Sequence, residues 1–194
     1  MRWLHGAWRL LSAIFLILLF CAFTKYELPC DKLLLEESSK IALNEVGTME
    51  TRSNRGEVAK YLNSVGLSEG HPYCAAGVYW CFAEAIANLG LSKNEIPISR
   101  TAVANKMFND AIRKGRKVLA NVANNDLIVW KSKSGWNGHI ERVVKVKRKA
   151  VVQTVGFNVK VGKGEGVGLK TRFLSHQLGK LMLRGIITFK EIER

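Results

Sequence analysis

Residues 70–85 read GHPYCAAGVYWCFAEA and hold two cysteines seven positions apart, Cys74 and Cys81. If this run is a helix opening at Cys74, the peptide N–H groups of its first turn point outward with partial positive charge. They would favour a thiolate there. Gly70 and Pro72 force an irregular path into the helix, and Ala75, Ala76 and Gly77 leave room beside the thiol. Val78, Cys81, Phe82 and Ala85 continue one face below it, so Cys81 reads as a small core residue. Seven helical residues span about 10.5 Å along the axis, beyond the roughly 7 Å that a disulfide can bridge between Cα atoms. The two cysteines are therefore expected to stay unpaired. Taken alone, Cys74 fits core packing better than it fits a nucleophile.

A cysteine nucleophile needs a base, and the base needs a group to orient it. Of the four histidines, His5 lies in the N-terminal apolar segment, His71 in the turn before Cys74, and His176 in a polar SHQ loop. His139 stands in GWNGHIERV, where a glycine-rich turn enters a strand-like run, and Gly138 removes bulk beside its imidazole. For the orienting group there are two choices. Residues 139–146 and 150–157 read as a hairpin through the basic KRK, which returns Asn158 beside His139. An asparagine accepts an imidazole N–H without adding charge. Glu141, two positions along the same strand as His139, shares its face and competes for the role. Asn158 is the preferred partner.

The elements that must hold these residues follow a simple order. Helical spacing marks residues 31–46, a segment capped at Ser53 or Asn54 and stopped at Gly66, residues 74–89 closed by Gly90, and residues 99–114 stopped at Gly115. Strand patterns follow at 126–131, 139–146 and 150–157, with weaker ones in GVGLKTRFL and LRGIITFKEI. Helices first and strands second is an α+β order, with helices gathered on one side of an antiparallel sheet. The chain of 194 residues is long enough for one such core.

Charge is distributed unevenly. Residues 1–100 carry ten basic and ten acidic side chains, while residues 101–194 carry twenty and six, which supplies the whole net charge of +14. Such a field suits an anionic polymer or membrane face, and many of the basic residues of the strands and of KVGKGEG are expected on one exposed face or rim. Arg2 and Arg9 precede the apolar run 10–23, short for a spanning helix of about 20 residues. Residues 1–25 thus read as a signal peptide or an N-terminal membrane anchor, with Cys21 as a lipidation alternative, and residues 31–194 as the working domain. Export would place the cysteines in an oxidising compartment.

The segment EVGTMETRSNRGEVAKYLNSVGLSEGHPYCAAGVYWCF, then NDLIVWK, GHIERVV and TVGFN in that order, resembles a CHAP domain, the cysteine, histidine-dependent amidohydrolase/peptidase of endolysins and bacterial cell-wall hydrolases. The resemblance spans residues of about 40 to 190. It implies a papain-like fold and a Cys74–His139–Asn158 triad that cleaves peptidoglycan amides, with no cofactor or metal. It also implies an oxyanion held by the Cys74 N–H and a second donor from Tyr73 or His71. Many such domains carry a glutamate two residues before the asparagine. Gly156 stands there, which removes glutamate assistance from that position.

Other readings are weaker. His71, Cys74, Cys81 and His139 lack the paired Cys-x-x-Cys spacing of structural zinc sites. KVKRKAVV has little aromatic interleaving for nucleic acid and reads as a solvated strand edge. GKGEGVG lacks the Lys-Ser/Thr of a phosphate loop. The expectation is an exported hydrolase of an anionic wall polymer, with no nucleic-acid partner. A non-catalytic wall- or glycan-binding module of the same fold and an antibacterial effector are the alternatives.

Overall fold

The computed structural model describes residues 28–114, 122–148 and 150–193; the apolar run 10–23 and the signal or anchor expectation lie outside the described residues. No helix among the described residues is long and apolar enough to cross a membrane. The chain is α+β. Strand β1 (Leu28–Asp31) leads into α1 (Lys32–Asn44), a short 3-10 turn (Gly56–Val58), α2 (Ala59–Ser64), α3 (Cys74–Leu89) and α4 (Ala104–Lys114). Six strands follow: β2 (Leu127–Ser132), β3 (Gly138–Arg148), β4 (Val151–Val161), β5 (Gly164–Phe173), β6 (Leu181–Ile187) and β7 (Phe189–Ile192). A five-stranded antiparallel sheet has the order β5-β4-β3-β2-β6, while β1 and β7 form a separate parallel pair.

Local chemistry explains most boundaries. Asp31 caps α1 by accepting the Leu34 N–H at 2.9 Å. Helix α3 ends at Gly90, which takes the left-handed conformation with φ 65°. The second expected helix begins later than its sequence suggests, because Asn54 at φ 59° and Gly56 at φ 86° turn the backbone away from helix first. Helix α4 likewise starts at Ala104 rather than Ser99. Thr101 Oγ1 accepts the Val103 N–H at 3.1 Å and holds an ST-type turn instead.

The helices pack on one sheet face through Val78, Phe82, Ile140, Val155 and Phe157, all buried. Contact is closest at Gly77, where an added Cβ would fall 2.3 Å from the Phe157 ring. Helix α3 can therefore lie against β4 only with glycine there. The opposite sheet face carries a smaller cluster of Ile128, Trp130, Val143 and Val152, flanked by Leu174, Leu178, Leu181 and Leu183. Segment 47–50 bonds to β5 through Gly47 N–H to Val167 O at 3.0 Å and Glu50 N–H to Glu165 O at 3.1 Å. That contact covers the outer edge of the sheet.

The basic strand residues divide by position. In KVKRKAVV, β3 runs past the end of β2, which pairs it only as far as Arg142, and Lys145, Lys147 and Arg148 are exposed. Arg142 does not join the outer basic face. Strand alternation turns it inward, fully buried, with its guanidinium 4.6 Å from the Phe82 ring centroid.

Candidate active site

Cys74 is the first residue of α3 and is 5% exposed. Its N-cap, Tyr73, makes no side-chain capping bond, so no side chain from that position occupies the N–H groups of the first turn. Tyr73 packs its ring 5.6 Å from Tyr61. The loop before it is held by the Gly70 N–H donating to Asn54 O at 2.8 Å, with Gly70 at φ 98°, a conformation that suits glycine. His71 is exposed, whereas Cys81 is buried one helical stretch below Cys74. Burial pushes the Cys81 thiol up to about 12. Cys30, Cys74 and Cys81 are all free thiols.

His139 is the second residue of β3, opposite Trp130 of β2. Its imidazole interacts with the Cys74 thiol, which is the largest of the influences that raise its pKa. The Gly138 before it is required by packing: an added Cβ would lie 2.7 Å from Asn105 Nδ2. Asn105, buried on α4, donates to Trp136 O at 2.7 Å and to Asn137 O at 3.2 Å, fixing the loop that delivers His139. Arg184 donates to Asn105 Oδ1 at 2.7 Å and fixes the amide in turn. Helix periodicity alone hides this role, since Asn105 reads there as one more polar residue.

The imidazole's second partner is Glu141. His139 Nε2 lies 2.9 Å from Glu141 Oε1, which leaves Nδ1 to face the thiol. Glu141 is 0% exposed and accepts from Thr154 Oγ1 at 2.6 Å and Arg172 Nε at 2.8 Å. Arg172 Nη2 also donates to Oε1, making a bidentate pair. Burial alone would raise the Glu141 pKa, but the bonds from Arg172 and His139 outweigh it and bring it down to about 2. Burial alone would lower the His139 pKa. Hydrogen bonding to Cys74 and Glu141 overrides it and lifts the pKa to about 10.

Asn158 is not bonded to His139. Its Nδ2 donates to Asn54 Oδ1 at 3.0 Å and to Glu165 Oε2 at 3.1 Å. The physical reason is local. Glu141 pairs with Gly156, so the same register continued two residues along would set Asn158 opposite His139. A bulge interrupts β4 here: its register with β5 shifts between Phe157 and Val159, and Asn158 takes φ 57°. That left-handed turn swings the amide out to the 50–56 loop. The expectation that Asn158 orients the imidazole is corrected to this extent. Asn158 remains a neighbour of His139, because both line a groove of about 310 Å³ with Lys160, Lys170 and Arg172.

Among the described residues, no three His, Cys, Asp or Glu side chains are grouped as metal ligands. The arrangement is a thiol at an uncapped helix start, a protonatable imidazole beside it, and a buried carboxylate behind. No family model, curated protein or solved structure matches this chain.

Proposed function

We propose that the protein is a cysteine amidohydrolase/peptidase that cleaves amide bonds in peptidoglycan. The observation that carries the chemistry is the Cys74 thiol within reach of an imidazole whose other nitrogen is held 2.9 Å from a buried carboxylate. His139 holds the thiol's proton at Nδ1, and the Cys74 sulfur attacks the amide carbonyl. Backbone N–H groups at the start of α3 receive the oxyanion. The collapsing intermediate expels the amine, which takes the proton from His139. Water, deprotonated by the same imidazole, then hydrolyses the thioester and regenerates the thiol.

The substrate class rests on the likeness to CHAP domains in residues 40–190 and on charge. The basic excess of residues 101–194 suits an anionic wall. Lys160, Lys170 and Arg172 bring part of that charge to the groove beside His139. The same likeness supports a papain-like arrangement, and Arg2 and Arg9 ahead of the apolar run 10–23 support export through residues 1–25.

Incubating purified peptidoglycan with the wild-type protein and with Cys74→Ala, followed by mass analysis of released fragments, tests the reading. Wild type should release fragments whose masses identify the bond, and Cys74→Ala should be slower by at least about a thousandfold. Equal release by both would remove Cys74 from the chemistry. No release by either would favour a wall-binding module.

A further inference from the structure

Glu141 and Gly156 face each other across β3 and β4, and their side-chain positions project from the same side of the sheet. A Cβ placed on Gly156 would fall 2.7 Å from Val159 Cγ1, 2.8 Å from Glu141 Oε1 and 3.0 Å from its Cδ. The carboxylate therefore occupies the space that a side chain at 156 would fill. It is held there from two further strand positions. Thr154, two residues before Gly156 on β4, donates at 2.6 Å. Arg172 on β5 donates through Nε at 2.8 Å and also through Nη2.

We propose that Glu141 is the positioning carboxylate of the Cys74–His139 pair, and that residue 156 is glycine because this carboxylate, together with Val159, fills the space above it. The proposal rests on reading Cys74 and His139 as the reactive pair. Its physical content is an interchange. One carboxylate site behind the imidazole is reachable from either strand, and the two origins exclude each other sterically. Glu141 fixes the ring so that Nε2 points to the sheet and Nδ1 to the thiol. Arg172 and Thr154 keep the carboxylate from rotating away. Asn158, bonded to Asn54 and Glu165, is left to shape the groove wall.

The test uses nitrogen-15 histidine labelling and titration of the His139 imidazole by NMR, together with the pH profile of kcat/KM on peptidoglycan. In Glu141→Gln, which keeps the shape of the side chain, the His139 midpoint should fall by more than about one pH unit. The alkaline limb of kcat/KM should move the same way, with a loss of about tenfold or more. In Glu141→Ala/Gly156→Glu, the carboxylate returns from the opposite strand, so the midpoint should recover relative to Glu141→Ala. A His139 midpoint unchanged in Glu141→Gln overturns the positioning role. A folded double variant that titrates like Glu141→Ala overturns the interchange. If the double variant does not fold, as judged by its melting curve, Glu141→Gln alone decides the positioning role, and the interchange is rejected. The NMR midpoint needs no turnover. A shifted midpoint in a protein that cleaves no wall amide would keep the positioning role and reject the proposed function.

Discussion

Glu141 is fully buried and His139 half-buried, both are charged in the folded state, and each holds the other in that form. The pair makes stability depend on pH in both directions. Glu141 has a folded pKa of about 2 against an ordinary 4.5, so its contribution is fully present above pH 4.5 and is lost as pH falls through about 2. His139 has a folded pKa of about 10 against an ordinary 6.5, so its contribution is fully present below pH 6.5 and is lost as pH rises through about 10. Urea midpoints measured across pH should therefore reach a plateau between 4.5 and 6.5 and decline on both sides. Glu141→Gln should flatten the acid decline and weaken the alkaline one. An acid limb identical to wild type in that variant would show that other carboxylates control acid unfolding.

The site depends on where α3 and β4 touch. Cys74 sits at the helix end and His139 on the sheet, so a small shift of one against the other separates the thiol from the imidazole. Gly77 sets that spacing, three residues into α3, with no room for a methyl against Phe157. Gly77→Ala should cost about 1–3 kcal/mol by overpacking. It should also reduce amide cleavage beyond the loss of folded protein, because the helix start moves with the helix. Denaturant melts and activity per folded molecule separate the two effects. Unchanged activity per folded molecule would mean that the thiol–imidazole geometry does not depend on this contact. At the far end of the site, Asn105 acts similarly on the loop before His139, and Arg184 anchors it.

Across the molecule, the least expected residue is Arg142. Its Nε, Nη1 and Nη2 are buried without a hydrogen-bond partner among the described residues. The Phe82 face and the nearby Cys30 and Cys81 are its surroundings. Burial lowers its pKa to about 10, and the two thiols partly oppose that shift. An aromatic face returns only part of the desolvation cost of a guanidinium. Arg142→Met should therefore raise stability by about 1–4 kcal/mol in urea melts and leave cleavage intact, since Arg142 points away from the His139 face. A large destabilisation would instead mean that the guanidinium organises the core around α3.

Local rules sufficed for the helix Cys74–Leu89, closed by Gly90, and for the β2–β4 strands, because capping, periodicity and turn chemistry act over a few residues. The α+β order was legible for the same reason. The β1–β7 pair was not, since it joins short strands more than 150 residues apart with no periodicity of their own. The interior place of β3 and the inward turn of Arg142 also depend on sheet order, which no local window contains. The choice between Asn158 and Glu141 turned on less. Sequence placed both near the imidazole, and charge economy favoured the asparagine. One left-handed residue at φ 57° sent the amide to Asn54 and Glu165, while an absent side chain at Gly156 left space for the carboxylate. The chain by itself singled out the Cys74 thiol and the His139 imidazole by their chemistry. Tertiary packing decided which group stands behind them, because that depends on one backbone angle and one cross-strand vacancy.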